Sequence, residues 1–522
     1  MNIGNFLERS VRKNSKKIYL YYGEDQISYE KFNENVNRVA NGFLSLGICK
    51  GDHVCIMLNN CPEFLYTWLG LSKIGGILVP INVAYKEQEV EYIISHSDAV
   101  AIVADRSYVS IVEAVRPRTP RLKQMIFLGE GEAPGWTPFQ KMLKYPDKLE
   151  KRVKVTGDDL STIMYTSGTT GFPKGVMVPH KAYIYSGEGY KLWADIKEND
   201  RLFTCLPLYH ANAQYYSTMG SLAADASLIL VERFSASKFW EQIRKYEATI
   251  FNFIGAVLLI LIKQPEHEND EDNSVRLAYG APAFEKSLQD RIEKRYGLKI
   301  LSGYALTECI FGTMQPLYGV RKDQSIGLPR WHPRFKNQIK IFDDNDNEVP
   351  IGTVGELVIR NPTVMKGYYK EPELTKKILK GGWLHTGDNA YKDEDGYFYF
   401  ADRKKDVIRR RGENLSSIDV ESVLNAHPKV LESAVIGVPS EFSDEEVKAY
   451  IVPKPDETID PVDLIYWCKE RLAYYKIPRY IEFRTSLPKT ATLRVEKYKL
   501  RSEKKDLTEG CFDREKAGVK IR

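Results

Sequence analysis

The chain has 522 residues, enough for two or more domains that each bury a hydrophobic core. Apolar residues make up 43% and charged residues 28% of it, as in ordinary globular proteins. Its 75 basic and 70 acidic residues leave a formal charge of +5. This argues against a nucleic-acid-binding protein, because such proteins usually concentrate basic residues on one face.

The N-terminal stretch MNIGNFLERSVRKNSKK has no apolar run of signal-peptide length. The most apolar segment, FIGAVLLILI at residues 253–262, is about half as long as a membrane span. The seven cysteines lack any C-x-x-C pair, which indicates reduced thiols and neither a zinc site nor a disulfide framework. We therefore predict a cytoplasmic protein without a membrane span.

Strand-like and helix-like segments alternate from the N-terminus onward. GDHVCIMLNN predicts a buried strand, and CPEFLYTWLGLSKIG has helical apolar spacing. GILVPINV and AVAIVAD then predict two more short apolar strands. Because continuous apolar strands need cover on both faces, this order predicts parallel α/β layers.

Residues 165–176, YTSGTTGFPKGV, combine hydroxyl side chains, glycines and one lysine. Such a loop can expose backbone N–H groups to phosphates, and Lys174 adds a mobile positive charge. A Walker loop is excluded, since it needs glycine directly before the lysine and Ser or Thr directly after it. Here Pro173 precedes the lysine and Gly175 follows it.

The character of the chain changes after about residue 402. EDGYFYFADR alternates like a half-exposed antiparallel strand. Beyond it lies a shorter, charged α+β region with strands at ESAVIGVP and VKAYIVPK and a helix at DPVDLIYWCKERLAYY. We predict one domain over residues 1–402 and a second over 403–522. The highly charged end, residues 501–522, is typical of a frayed surface extension.

Several motifs, in order, resemble those of the adenylate-forming superfamily, which includes acyl-CoA synthetases, luciferases and peptide-synthetase adenylation domains. YTSGTTGFPKGV is similar to its phosphate loop, and SGYALTE at residues 302–308 to its adenine-and-metal motif. GWLHTGD at residues 382–388 resembles its ribose motif, and DRKKDVIRRRGENLS its hinge and the following loop. The similarity extends from about residue 5 to residue 502.

The resemblance implies a fold and a reaction. The fold is α/β, with a large N-terminal domain of layered α/β sheets, a β-barrel-like subdomain and a small, mobile α+β C-terminal domain. The reaction has two steps and uses ATP, Mg²⁺ and coenzyme A. A carboxylate attacks the α-phosphate of ATP, which gives an acyl-adenylate and pyrophosphate; a thiol then forms a thioester and releases AMP.

The resemblance also implies the nucleotide site. Tyr304 would stack on adenine, and Asp388, an acceptor-only group, would bind the ribose hydroxyls. Thr170 and Glu308 would hold Mg²⁺, which prefers a few carboxylates together with phosphate oxygens. Lys174, Thr170, Glu308 and Arg494 are the expected catalytic residues. The expected ATP and AMP contacts are Thr166, Ser167, Gly168, Thr169, Thr170, Lys174, Gly280, Ala281, Pro282, Ser302, Gly303, Tyr304, Thr307, Asp388, Phe400 and Arg403.

Other segments are expected to contact the acid and CoA. CLPLYHANAQ resembles the segment that places a side chain between the acyl pocket and the CoA channel. We assign His210 a gating role and not that of a base, because a carboxylate nucleophile is already ionised at neutral pH. Lys405 is the expected hinge. The expected substrate and CoA contacts are His210, Asn212, Gly255, Gly412, Glu413 and Asn414.

The chain departs from the family pattern near its end. The family usually has a Gly-Lys pair there, but LPKTATLRVEKYKLR places Leu493 and Arg494 at those positions. Arginine keeps the charge, but its planar fork has a different reach and donor geometry. Lys497 and Lys499 are close by but shifted in register. Adenylation is therefore the step expected to be slowed.

The acid is less closely defined than the reaction. LVERFSASKFWEQIRKYEAT and VIGVPSEFSDEEVKAYIV most resemble the carnitine and crotonobetaine CoA ligases. A quaternary ammonium acid would use aromatic faces, for which Tyr185, Tyr190 and Trp193 are candidates. A medium-chain or branched fatty acid is the alternative substrate.

Alternatives of another class stay open. A catalytically weakened relative that only binds nucleotide or acyl groups is favoured by Arg494 alone, and a kinase is disfavoured because no kinase signature is present. CoA is preferred over a carrier protein because no carrier module is attached. The expected partners are a small carboxylic acid, ATP and CoA, without nucleic acid; homo-oligomerisation stays open.

Overall fold

The computed structural model of the protein describes residues 1–166, 173–403, 406–410, 413–440, 445–472, 474–489 and 495–521, with the backbone alone at 402, 403, 407, 409, 413 and 414. The chain forms two compact units. The larger contains residues 1–340, 358–385 and 395–398, and the smaller contains residues 341–357, 386–394 and 399–522. The domain limits 1–402 and 403–522 stay a prediction.

One sheet of the larger unit is built from the apolar strands predicted near the N-terminus. Its neighbouring strands are parallel apart from the last two, which form an antiparallel pair. Its strand order is Thr137–Pro138, Gln124–Leu128, Ala101–Asp105, His53–Met57, Ile77–Pro80, Leu160–Thr166 and Lys174–Pro179. Strands such as Ile77–Pro80 are buried throughout, as expected for a parallel sheet covered on both faces.

A second sheet of the larger unit places the ends of three parallel strands side by side. Its strand order is Asp25–Ser28, Ile18–Tyr22, Ser227–Leu230, Arg201–Thr204, Ile250–Ile254, Leu277–Ala281, Lys299–Tyr304, Thr313–Met314 and Ser325–Pro329. Phe253 is level with Gly280, and Gly280 with Ser302. The residues that follow these strands therefore lie along one edge of the sheet.

Helices of the larger unit begin and end at recognisable residues. Pro62–Ile74, for example, has proline at its first position and ends at Gly75, whose φ of 79° favours glycine. Its α-helices are Ile3–Asn14, Tyr29–Ser45, Pro62–Ile74, Glu87–His96, Val109–Val115, Phe139–Met142, His180–Trp193, Met219–Ala224, Phe239–Lys245, Gly255–Ile262, Lys286–Tyr296 and Pro372–Ile378. Ala213–Thr218 is a π-helix, and Arg106–Tyr108, Arg116–Arg118 and Lys380–Gly382 are 3₁₀-helices. Within the described ranges no helix is long and apolar enough to cross a membrane.

Further strands lie where the chain passes between the two units: Gln338–Phe342, Gly355–Arg360, Leu384–Lys392 and Phe398–Arg403. The last of these confirms the strand predicted from EDGYFYFADR.

The smaller unit contains a sheet in the order Val430–Pro439, Glu445–Pro453, Tyr480–Phe483 and Phe512–Asp513. An antiparallel pair, Val407–Arg410 and Glu413–Ser416, precedes it in sequence. Its α-helices are Ser417–Asn425, Pro461–Lys469 and Lys497–Ser502, and Tyr474–Lys476 is a 3₁₀-helix. Asp460 caps Pro461–Lys469 by accepting a hydrogen bond from the Val462 N–H.

Two expectations for this unit were wrong. The helix predicted through residue 475 ends at Lys469, because the chain must reverse before it enters the strand Tyr480–Phe483. The end of the chain is not a frayed extension, since Phe512–Asp513 pairs with Tyr480–Phe483. Asp513 also forms a buried ion pair with Arg479, with 3.3 Å between the carboxylate and the guanidinium Nε.

The α/β fold with large sheets and a separate C-terminal sheet is confirmed. The barrel-like subdomain and the mobility of the C-terminal part stay predictions.

Candidate functional site

Thr166 and Lys174 stand opposite each other at the two ends of the predicted phosphate loop. Thr166 ends the strand Leu160–Thr166, Lys174 begins Lys174–Pro179, and the two residues pair in register. The expected contacts Ser167, Gly168, Thr169 and Thr170 lie outside the described residues. The strand pair thus fixes where the loop leaves and re-enters the sheet.

One tyrosine connects the Lys174 side chain with the expected metal carboxylate. Lys174 Nζ is 5.6 Å from the centre of the Tyr368 ring. The Tyr368 hydroxyl donates a hydrogen bond of 2.7 Å to Glu308 Oε1. A cation, a hydroxyl and a carboxylate are thereby brought together from positions far apart in sequence.

The expected adenine contacts lie together on one edge of the second sheet. Ser302 Oγ donates to the Pro282 carbonyl over 3.4 Å, which joins the ends of neighbouring strands. Gly255 begins its helix against Pro282, where a Cβ would lie 2.6 Å from the proline Cδ. Gly303 is equally confined, since a Cβ there would lie 2.7 Å from the Thr313 carbonyl oxygen. Gly280 and Ala281 end the neighbouring strand, Tyr304 is nearly buried, and Thr307 is partly exposed.

His210 and Asn212 follow the strand Arg201–Thr204. His210 Nε2 is buried and has no hydrogen-bond partner among the described residues. Burial lowers the pKa of His210 to about 4, so the ring is neutral at neutral pH. Asn212 Oδ1 accepts a hydrogen bond of 3.0 Å from Asn252 in the strand Ile250–Ile254. Asn212 is thereby tied to the strand beside Leu277–Ala281.

The aromatic faces suggested for an ammonium group lie close to arginines of the chain itself. Arg330 is buried, and its Cζ lies 4.7 Å from the centre of the Trp193 ring. Arg334 lies 5.9 Å from the Tyr185 ring. Tyr190 packs its ring against Tyr216 and Tyr279 and donates its hydroxyl to Asn252. The rings of Tyr185, Tyr190 and Trp193 therefore each contact different side chains of the protein itself.

The remaining expected contacts belong to the smaller unit. Asp388 is buried, and its N–H donates to Thr386 Oγ1 over 3.2 Å. Phe400 and the backbone of Arg403 lie in Phe398–Arg403. Glu413 and Asn414 pair through their backbones with Arg410 and Arg409. The expected contacts Lys405, Gly412 and Arg494 lie outside the described residues.

Two side chains of the larger unit, Tyr368 and Arg330, were not predicted from the sequence. Tyr368 stands in MKGYYKEPELT, where a Gly-Tyr-Tyr run before a proline gave no indication of contact with Glu308. Arg330 stands in GLPRWHP, and nothing local predicts that its guanidinium is buried. Arg330 donates to the Thr313 carbonyl over 2.8 Å and to the hydroxyls of Tyr216 and Tyr279. Only the assembled sheet brings these partners together.

The sequence profile of the AMP-binding enzyme family matches residues 7–369, and that of the AMP-binding enzyme C-terminal domain matches residues 419–493. The chain belongs to the AMP-binding enzyme family.

Relatives of this chain are named CoA ligases. The chain is 35% identical over 492 residues to the crotonobetaine/carnitine–CoA ligase of Salmonella heidelberg, a match that covers 91% of this chain and 93% of that protein. The anthranilate CoA ligase AuaEII in complex with anthranoyl-AMP is 28% identical, with a TM-score of 0.89 and coverage of 96% and 97% of the two chains. ATP-bound MatB from Rhodopseudomonas palustris is 27% identical, with a TM-score of 0.88 and coverage of 98% and 100%.

This AMP-binding enzyme is therefore an AMP-forming acyl-CoA synthetase of the adenylate-forming superfamily, with ATP, Mg²⁺ and CoA in its reaction. The family and reaction class predicted from the motifs are confirmed.

The donor set fits a magnesium ion that binds together with a nucleotide. The described part of the chain has no group of three or more His, Cys, Asp or Glu side chains that could hold a metal by themselves. Mg²⁺ commonly takes only one or two carboxylates and completes its shell with water and phosphate oxygens. A carboxylate such as that of Glu308, which accepts a hydrogen bond from Tyr368, is the kind of ligand that Mg²⁺ takes from a protein in such a site.

Proposed function

We propose that this synthetase activates a small carboxylic acid, with carnitine, crotonobetaine or a related betaine as the first candidates. The observation that carries the substrate class is the 35% identity, over 91% of the chain, to a ligase named for those acids. The product is the corresponding acyl-CoA, formed through an acyl-adenylate.

In the first step, Lys174 and the N–H groups of the phosphate loop stabilise negative charge on the phosphates while the acid attacks the α-phosphate. Thr170 and Glu308 are the protein's ligands for Mg²⁺, and the ion, when bound, neutralises charge on the phosphate oxygens. Tyr304 and the Gly280–Pro282 backbone hold adenine, and Asp388 with Arg403 holds the ribose. No base is required, because the attacking carboxylate is already ionised.

In the second step, a CoA thiol displaces AMP from the acyl-adenylate. We assign His210 to the boundary between acid and thiol, where a neutral imidazole excludes water without competing as a cation. Gly412, Glu413 and Asn414 stand on the CoA side. The domain limits at residues 402 and 403, with Lys405 as hinge, belong to the same proposal, as does a cytoplasmic location, which the seven unpaired cysteines support.

A medium-chain or branched fatty acid is the second candidate. Arg330 supports it, because its guanidinium already lies over Trp193 and disfavours a second cation at that ring. A weakened relative that binds without turnover is the third candidate and depends on Arg494 alone.

One assay separates these candidates. The full chain is given ATP, Mg²⁺ and single acids (carnitine, crotonobetaine, butyrate, isobutyrate and octanoate), each with and without CoA, and AMP and ADP are measured. We expect CoA-dependent AMP with carnitine or crotonobetaine, whereas AMP with only the fatty acids selects the second candidate. A Lys174→Ala variant controls for contaminating ligases. ADP or no product with every acid would contradict ligase activity.

A further inference from the structure

Residues 364–369, here called the coupling segment, connect two parts of the candidate site. At one end, Val364 bridges to Cys309, and the Met365 N–H donates to the Glu308 carbonyl over 2.8 Å. At the other end, the Tyr369 N–H donates to the Gly175 carbonyl over 2.7 Å. The coupling segment is thus hydrogen-bonded both to the backbone of Glu308 and to the strand that begins with Lys174.

The middle of the coupling segment is held in one conformation. The Lys366 N–H donates to the Met177 carbonyl, and the Met177 N–H donates to the Gly367 carbonyl. Gly367 has a φ of 139°, and a Cβ there would lie 2.5 Å from Thr375 Cγ2, so only glycine suits the position. The Tyr368 N–H donates to Thr375 Oγ1 over 2.9 Å. The backbone therefore fixes where the Tyr368 side chain points.

The Tyr368 side chain also connects Lys174 with Glu308, through its ring and its hydroxyl respectively. Its ring faces Lys174 Nζ at 5.6 Å, within the range of a cation–π contact. Its hydroxyl donates to Glu308 Oε1. An ordinary tyrosine hydroxyl is protonated at neutral pH and a carboxylate only accepts, so Tyr368 is the donor in this hydrogen bond. Packing alone requires the ring but not this hydrogen bond.

We propose that Tyr368 is a positioning residue for acyl-adenylate formation, whose hydroxyl orients the Glu308 carboxylate toward Mg²⁺ while its ring holds Lys174 at the end of the phosphate loop. The inference rests on the proposed roles of Glu308 and Lys174. Tyr368 acts through those two side chains and takes no part in bond making.

The test is Tyr368→Phe, which keeps the ring over Lys174 and removes only the hydroxyl. ATP binding to the full chain is measured by calorimetry with Mg²⁺ and again with EDTA. We expect the affinity in Mg²⁺ to fall about 10-fold, the size of one lost hydrogen bond to a charged group, and the affinity in EDTA to stay unchanged. ATP–pyrophosphate exchange should fall with it, whereas conversion of a preformed acyl-adenylate by CoA should not.

Tyr369→Phe is the matched control. It is the next residue of the same segment, but its hydroxyl donates to Asp98 over 2.8 Å and not to Glu308. This variant should bind ATP like the unmodified chain in both conditions. Equal losses with and without metal, or equal losses in both variants, would show that the hydroxyl matters for packing alone and would overturn the inference. If Mg²⁺ does not strengthen ATP binding to the unmodified chain, the proposed role of Glu308 fails first.

Discussion

At the scale of single residues, Arg494 is the substitution with the clearest chemical consequence. A lysine carries a compact charge with three rotatable donors, whereas the arginine fork is planar and fixed. The neighbouring lysines do not readily replace it. Lys497 Nζ donates to Ser417 Oγ over 2.6 Å and pairs with Glu421 at 2.8 Å, and Lys499 pairs with Glu496 at 2.6 Å. Position 494 is therefore where the resemblance predicts that this chain departs from the family in charge geometry.

We predict that Arg494→Lys raises the rate of ATP–pyrophosphate exchange several-fold, because a lysine can reach both the substrate carboxylate and the ribose. Conversion of a preformed acyl-adenylate to the thioester should not change. Arg494→Ala, which removes the charge, is the control and should slow the exchange. An unchanged rate in Arg494→Lys would mean that arginine is an adequate replacement.

At the scale of elements, one guanidinium connects the antiparallel pair Val407–Arg410 and Glu413–Ser416 to the sheet of the smaller unit. Arg410 ends the strand Val407–Arg410, and its side chain lies 2.6 Å from Glu446 Oε2 in Glu445–Pro453. Both side chains are almost completely buried. Arg410 also donates to the carbonyls of Tyr475 and Ile477. The position of this strand pair therefore depends on the Arg410–Glu446 ion pair.

We predict that Glu446→Gln destabilises the smaller unit by about 3–5 kcal/mol, because it removes the carboxylate charge that lies 2.6 Å from a buried guanidinium. Amide hydrogen exchange in peptides from Glu445–Pro453 should accelerate accordingly. The double variant Arg410→Met with Glu446→Leu removes both charges and should recover most of the loss. Equal exchange in Glu446→Gln and the unmodified chain would contradict a structural role for the pair.

Elements were predictable where their signal is local. Uninterrupted apolar runs predicted the strands His53–Met57, Ile77–Pro80 and Ala101–Asp105, and helical apolar spacing predicted the helix Pro62–Ile74. The motif YTSGTTGFPKGV also supports a resemblance to a known family, because its residues are adjacent in sequence.

What could not be predicted depends on contacts between distant residues. Tyr368 meets a carboxylate 60 positions away, and Arg479 holds the chain end through Asp513, 34 positions away. Arg330 is surrounded by tyrosines from two other elements. Such contacts produce no periodic pattern in the sequence, because the two partners lie in separate segments. The residues around each partner do not indicate which distant residue it will contact.

At the scale of the whole molecule, the larger unit contains two histidines that folding keeps neutral. Burial lowers the pKa of His180 to about 3 and that of His210 to about 4. An unfolded histidine has a pKa of about 6.5, so below that value the unfolded chain binds protons that the folded chain does not. Each histidine therefore makes folding less favourable as the pH falls.

The Asp159 carboxylate titrates in a different pH range from the two histidines. Although burial opposes it, hydrogen bonds from Thr156 and Lys50 lower the pKa of Asp159 to about 2. The stability that Asp159 contributes is present above its ordinary pKa of 3.8 and is lost only as the pH falls toward 2. Asp159 therefore contributes little to the change in stability between pH 7 and pH 5.

We predict that the free energy of unfolding of the larger unit falls by about 2 kcal/mol for each of His180 and His210 when the pH is lowered from 7 to 5. Urea denaturation of the full chain at both pH values, followed by tryptophan fluorescence, measures the loss. His180→Gln and His210→Gln should each remove one histidine's share of the pH dependence, because glutamine does not titrate. Gln264→His, which adds a histidine at a partly exposed position, should leave it unchanged. If both glutamine variants keep the full pH dependence, other groups must take up the protons, and neither histidine is held neutral by the fold.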